Sequence, residues 1–204
     1  MKRLLLLSVF VLGGCVSQDF KTYERYIASK RIPPATVDRF PHCYGYGCPS
    51  HFLVELNKQD YARIDKIFKP ASKTAAQERA RLETAIGEFE KIVGPMTGTD
   101  KDVGDTFKKT GDGQLDCVDE STNTTIYLDL LQQMGHLKFH EIEQPQIRLP
   151  ISGGGWWVHQ TAVIRDMETR ERYAVDSWFD DNGHPAYVVP FDAWKYGWKP
   201  EHLR

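Results

Sequence analysis

The chain has 204 residues, 41% of them hydrophobic and 26% charged, with a formal net charge of −2. That length and balance suit one globular domain with a sizeable core. A near-neutral charge with no basic stripe gives no electrostatic case for nucleic acid as a partner. No internal repeat or low-complexity tract is present.

The chain opens with Lys2 and Arg3, then an apolar run from Leu4 to Val11 that is too short to span a bilayer as a stable helix. Leu12-Gly13-Gly14-Cys15 follows. This is the layout of a secretory signal, and its end resembles the lipobox of bacterial lipoproteins. The resemblance implies cleavage after residue 14 and lipidation of Cys15. Val16 at the next position points to the outer membrane, with the body facing the periplasm. An ordinary cleaved signal is the alternative. The expected organisation is a signal over 1–14, a tether and irregular segment over 15–50, and one domain over 51–204. No later segment is apolar and long enough to cross a bilayer, so the membrane is met through the lipid anchor.

The envelope is oxidising, which sets how cysteines are read. Cys43 and Cys48, in His42-Cys43-Tyr44-Gly45-Tyr46-Gly47-Cys48-Pro49-Ser50-His51, are placed to bridge across a glycine-bearing turn. A zinc site of His42, Cys43, Cys48 and His51 competes with that reading. Either choice leaves Cys117 without a partner.

The prolines at 33, 34, 41 and 49 break any long element before residue 50. Beyond it, a short helix is expected over Asp60 to Phe68. A strong helix follows over Ser72 to Val93, where Leu82, Ile86, Phe89 and Val93 form one apolar stripe. Gly94-Pro95 is expected to end it. Thr97 to Gly113 reads as a loop, and a second helix runs from Asp116 to about Met134. Strands are expected over Leu137–Ile142, Gln146–Leu149, Trp157–Asp166, Arg172–Trp178 and Ala186–Val189, with a mobile glycine hinge at 153–155. Helices first and an antiparallel sheet second define an α+β class.

Three residues carry the chemistry. Asp116 is a good N-cap and Asp119 at N3 completes an acidic capping box, which makes Cys117 the first helical residue. A thiol there meets unpaired backbone amides and the positive end of the helix dipole. Asp116, Asp119 and Glu120 add opposing negative charge, so activation requires a partner imidazole. His159, in Val158-His159-Gln160-Thr161-Ala162-Val163, supplies one. Asp176, in Tyr173-Ala174-Val175-Asp176-Ser177-Trp178, supplies an acid to orient it. The bland readings are a buried small hydrophobe for Cys117, a structural histidine and a strand-end charge.

The order Asp116-Cys117, His159, Asp176 in these motifs resembles the bacterial transglutaminase-like superfamily of papain-fold cysteine enzymes, over about Leu82 to Val189. The resemblance implies a central helix bearing the nucleophile, packed on an antiparallel sheet. It further implies a Cys-His-Asp triad performing acyl transfer through a thioester on a peptide or protein carboxamide, with no cofactor and no metal. Many bacterial members of the superfamily look like proteases or amidases. Papain-like enzymes often add a side-chain oxyanion donor, for which Gln114, Trp156 and Trp157 are the candidates. A cell-wall peptide endopeptidase of related fold and a non-catalytic envelope scaffold are the alternative functions. His136 and His140 are expected to be surface histidines, and Asn123 carries no assigned role.

Overall fold

Capping residues set where the helices begin. The computed structural model describes residues 22–106, 111–150 and 158–203. Helix α1 spans Thr22–Ser29, and strands β1 (Phe40–Tyr44) and β2 (Ser50–Val54) pair as an antiparallel hairpin. Helix α2 (Lys58–Ile67) starts at Asn57, whose side chain accepts from the amides of Gln59 and Asp60 while Asp60 closes a capping box. Helix α3 (Ala75–Thr97) starts at Thr74, and α4 (Cys117–Gln133) at Asp116, again with a full capping box through Asp119.

A four-stranded antiparallel sheet follows, in the order β3 (His140–Arg148), β4 (His159–Asp166), β5 (Arg172–Asp176) and β6 (Tyr187–Pro190). Helix α5 (Phe191–Lys195) closes the chain before a short 3-10 turn at Glu201–Leu203. The α+β class is as expected from the sequence. Among the described residues no helix is long and apolar enough to cross a membrane.

Alternation along the strands divides the sheet into two faces. Ala162, Ile164 and Val175 turn to the main core, where they meet Ile126, Leu130, Leu131, Ile86 and Phe89. Val163 and Ala174 turn the other way and pack with Phe191 and Trp194 of α5. Helix α4 lies between the sheet and the β1–β2 hairpin. It is buried on every face from Asp119 to Leu128, polar residues included. Its hydroxyls turn back on the helix: Ser121 to the Cys117 carbonyl at 2.6 Å, Thr122 to Val118 at 2.6 Å and Thr125 to Ser121 at 2.7 Å. A central helix can carry this many polar residues because each finds a partner.

Several expectations are corrected. The stretch expected to be irregular before residue 50 carries α1 and β1, and Tyr23, Ile27, Phe40 and Cys43 belong to the main core. Helix α3 continues past Gly94-Pro95 to Thr97 and stops at Gly98, which adopts φ 75° and returns its amide to the Gly94 carbonyl. A proline near a helix end removes few bonds, and the left-handed glycine makes the stop. The two expected strands around Pro145 are one strand, β3, with a register shift between Glu143 and Gln146. The proline sits at that irregularity, where its missing N–H is tolerated.

The histidines also differ from expectation. His140 is buried and bonds Glu78 at 2.8 Å, and Glu78 also accepts the amides of Lys138 and Phe139. His136 is half-buried, bonded to Asp65 at 2.7 Å and stacked on Phe68. Cys43 and Cys48 form a disulfide, so the competing zinc set does not exist. His42 lies against Tyr127 and Thr99, and burial lowers its pKa to about 3.

The disulfide hairpin and α4 are joined at one point. The loop at 45–48 has four successive residues with positive φ, from 60° to 100°. That conformation turns consecutive amides to one side as a nest for an anion. Tyr46 and Cys48 donate to the two oxygens of Asp119 at 2.8 and 2.7 Å, and Gly47 donates to Asp116 at 3.1 Å. Asn123 adds a two-way clamp on Cys43, accepting its amide at 2.6 Å and donating to its carbonyl at 3.0 Å.

Both α2 and α4 have an aspartate at N3 of a capping box, which allows a direct comparison. Asp119→Ala leaves buried amides unpaired and should cost roughly 3 kcal/mol, whereas Asp60→Ala on the exposed box should cost about 1 kcal/mol or less. Urea denaturation of both variants measures the difference. Equal losses would show that the loop clamp contributes nothing beyond the cap.

Candidate active site

The site forms where the first turn of α4 meets one end of the sheet. His159 is the first residue of β4 and Asp176 the last of β5, so both stand at strand ends. His159 Nε2 lies 2.8 Å from Asp176 Oδ2, and the Trp194 indole N–H donates to the same oxygen at 2.7 Å. Asp176 Oδ1 accepts the Trp178 amide at 3.4 Å. Trp178, Phe179 and Trp194 surround the imidazole, with ring centroids 4.6, 5.3 and 5.7 Å away. The ring is fully buried, and its Nδ1 has no hydrogen-bond partner among the described residues.

Cys117 is the free cysteine among the described residues and is partly exposed. It occupies the first position of α4, as its capped setting predicts. Its sulfur is within reach of the Gln160 amide and of its own. Desolvation is the largest influence on the thiol and pushes its pKa up to about 12. The charges of Asp116 and Asp176 push the same way, and the two amides oppose them. The resting group is therefore a thiol. No hydrogen bond joins it to His159 in this structure, although the amide of Gln160, the next residue, is near enough to lower its pKa.

Gln160 ties the neighbouring elements together. Its amide nitrogen donates to Ser121 Oγ and Tyr26 Oη, both at 2.8 Å, linking β4 to α4 and α1. The strand position of His159 relative to the start of α4 is thus fixed by its neighbour's side chain. Gln114, an expected oxyanion donor, is engaged elsewhere: its Nε2 donates to the Lys101 carbonyl at 2.7 Å and its Oε1 accepts from Val103. Cys15, Trp156, Trp157 and the glycine hinge lie outside the described residues.

Behind the first turn of α4 lies a set of buried carboxyl groups. Ser177 Oγ donates to Glu120 at 2.6 Å and meets Thr124 at 3.0 Å; the Gly183 amide donates to Glu90 at 2.8 Å; the Leu115 amide donates to Asp102 at 2.8 Å. Desolvation, reinforced by their mutual repulsion, raises the pKa of Glu90, Asp102 and Glu120 well above the ordinary range. The sequence reading counted Glu120 as a charge opposing a thiolate at Cys117. Burial raises its pKa and so weakens that opposition, and Asp116 and Asp176 are the carboxylates whose charge reaches the sulfur.

Sequence reading missed Arg148. It pairs directly with His159 across β3 and β4 and is fully buried. Its Nη1 donates to the Trp194 and Trp198 carbonyls at 2.8 and 2.9 Å, while Nε and Nη2 have no partner among the described residues. Its neighbours Ile147 and Leu149 are half exposed. No family model, curated protein or solved structure matches this chain.

The buried carboxyls give stability a definite pH dependence. A group whose folded pKa is raised contributes fully below its unfolded value and loses that contribution as pH rises through the folded one. Stability should therefore fall as pH rises from about 4.5 through neutrality. Glu90→Gln, which removes the titration and retains an acceptor for Gly183, should flatten this slope and raise stability at pH 8 by about 1 kcal/mol or more. Denaturant midpoints at pH 5 and pH 8 test it; parallel slopes in wild type and variant would contradict it.

Proposed function

We propose that this protein is an envelope-tethered cysteine hydrolase of amide bonds, a protease or amidase with a transglutaminase-like, papain-type core. Cys117 is its nucleophile, His159 its base and Asp176 its orienting acid. One observation carries the reading. The His159–Asp176 pair is held by its outer nitrogen, Nε2, and keeps the other, Nδ1, buried and, among the described residues, unpartnered, one strand position before the Gln160 amide that lowers the Cys117 pKa. A base for a thiol needs this division of labour between the two ring nitrogens.

In the proposed reaction the Cys117 S–H proton passes to His159 Nδ1 and the sulfur attacks the carboxamide carbon. The imidazolium returns the proton to the departing amine, leaving a thioester. Water deprotonated by His159 then releases the acid and restores the thiol. The substrate is a peptide or protein carboxamide, and neither metal nor cofactor has a role in these steps. The lipobox-like end at Cys15 supports tethering to the outer membrane, with the domain facing the periplasm.

A second reading is favoured by the high thiol pKa and by the lack of a hydrogen bond between Cys117 and His159. On that reading the domain is a non-catalytic envelope scaffold that keeps the fold of an enzyme. Catalytic hydrogen bonds in ligand-free enzymes are often long and tighten only with substrate, which is why the hydrolase is preferred.

Iodoacetamide labelling separates the two readings. Cys117 should label at neutral pH faster than a desolvated thiol of raised pKa would without a base beside it. His159→Ala should slow labelling by about a hundredfold, the scale of general-base assistance. A labelling rate no greater than that of such an unassisted thiol and indifferent to His159→Ala would establish the scaffold.

A further inference from the structure

Asp176 orients the imidazole of His159, and a tryptophan from another element holds Asp176. Its Oδ2 accepts twice, from His159 Nε2 at 2.8 Å and from the Trp194 indole at 2.7 Å. Among the described residues its Oδ1 takes one long bond, from the Trp178 amide at 3.4 Å. An amide at that distance restrains little, so the indole is the contact that keeps the carboxylate from turning. An indole N–H donates and cannot accept, which holds Oδ2 in the accepting role. This assigns the proton shared with His159 to Nε2 and leaves Nδ1 as the bare ring nitrogen.

Helix α5 delivers that indole, and α5 is braced from several sides. Phe191 and Trp194, three residues apart, share one face of the helix and pack on Val163 and Ala174 of the sheet. The Arg172 guanidinium carbon lies 4.1 Å from the Phe191 ring centroid. Arg148 Nη1 donates to the carbonyls of Trp194 and Trp198 at 2.8 and 2.9 Å, and its guanidinium carbon lies 5.0 Å from the Trp194 ring centroid. A helix of five residues has almost no stability of its own. The bracing is therefore what gives the buried indole a fixed address. A core that needed only apolar volume here could use phenylalanine; the N–H is what tryptophan adds.

We infer that Trp194 is a positioning residue of the Cys117 site. Its indole pins Asp176 Oδ2 against His159 Nε2, and Arg148 pins the backbone that carries the indole. Trp194 thus acts through Asp176 and His159 on the proton that leaves Cys117, and α5 becomes part of the proposed machinery. The inference deepens the cysteine-hydrolase reading and rests on it for the role of His159.

The test is the pH profile of iodoacetamide alkylation of Cys117 in the full domain, with folding checked by circular dichroism and the melting transition. Trp194→Phe keeps a buried ring and removes the N–H. It should slow labelling about tenfold at neutral pH, part of the hundredfold expected for loss of the base. A tenfold loss displaces the profile upward by about one pH unit. Trp178→Phe is the control: it takes an indole from beside the same imidazole, keeps the amide that meets Asp176 Oδ1, and should leave the profile in place. A folded Trp194→Phe with the wild-type profile overturns the inference. An equal displacement by Trp178→Phe overturns it too, because ring packing would then be the cause. If Trp194→Phe does not fold, the wild-type proton spectrum decides. The Trp194 indole resonance should move with pH in step with the labelling inflection, and a resonance indifferent over that range overturns the inference. If Trp194→Phe is silent while His159→Ala still slows labelling, the hydrolase reading survives and only the positioning role is lost. If His159→Ala leaves labelling unchanged, the hydrolase reading itself fails and the inference falls with it.

Discussion

The contact on which the site depends is the seizure of Asp119 by the disulfide loop. A capping box alone fixes only the first turn of a helix. Here the same carboxylate also receives the amides of Tyr46 and Cys48, so the start of α4 is bolted to the hairpin at β1–β2. Cys117 is two residues away, and its position follows from that bolt. Asn123, one turn further on, holds Cys43 from the same helix and prevents the hairpin from pivoting. The disulfide closes the loop covalently, and the left-handed run of 45–48 aims its amides. None of these parts touches the proposed reaction, yet each locates its sulfur.

A second constraint is charge. Four carboxyl groups, Glu90, Asp102, Asp119 and Glu120, are drawn together behind Cys117. Left ionised they would oppose any thiolate by Coulomb repulsion in a weakly polarisable interior. Desolvation raises the pKa of each, so the patch carries less negative charge than its sequence suggests, while its oxygens accept from backbone amides and Ser177. Ser177 shows the consequence: it is adjacent to Asp176 in the chain, and it serves Glu120 and Glu90.

What was legible in the sequence follows a simple physical division. Local signals were readable: the caps at Asp116 and Asp119, the Leu82-Ile86-Phe89-Val93 stripe, the strand alternation and the cysteine pairing. So was the pairing of His159 with Asp176, because both sit at the ends of strands with clear patterns. Arg148 was hidden because its strand inverts the usual pattern, with apolar Ile147 and Leu149 turned outward and the arginine turned in. Asn123 was hidden because its partner is eighty residues away in the chain. The irregular look of residues before 50 came from prolines, which mark bends but say nothing about whether Tyr23 or Phe40 reaches the core. His140 was misread because Glu78, which keeps it satisfied in the interior, lies on another helix.

The two readings of this domain can be weighed by what each demands of the buried polar atoms. A scaffold is under pressure only to fold, and buried polar groups without partners work against folding. Among the described residues Nδ1 of His159 and Nε and Nη2 of Arg148 are such atoms, as are others at Tyr46, Ser72, Glu90 and Asp105. Elsewhere in the core the polar groups of Thr122, Thr125 and Asn123 are satisfied, so the sequence is capable of pairing what it buries. The unmet Nδ1 is set apart from those others because its ring is already oriented by a carboxylate, and that orientation is what the proposed proton transfer would use and a scaffold would not.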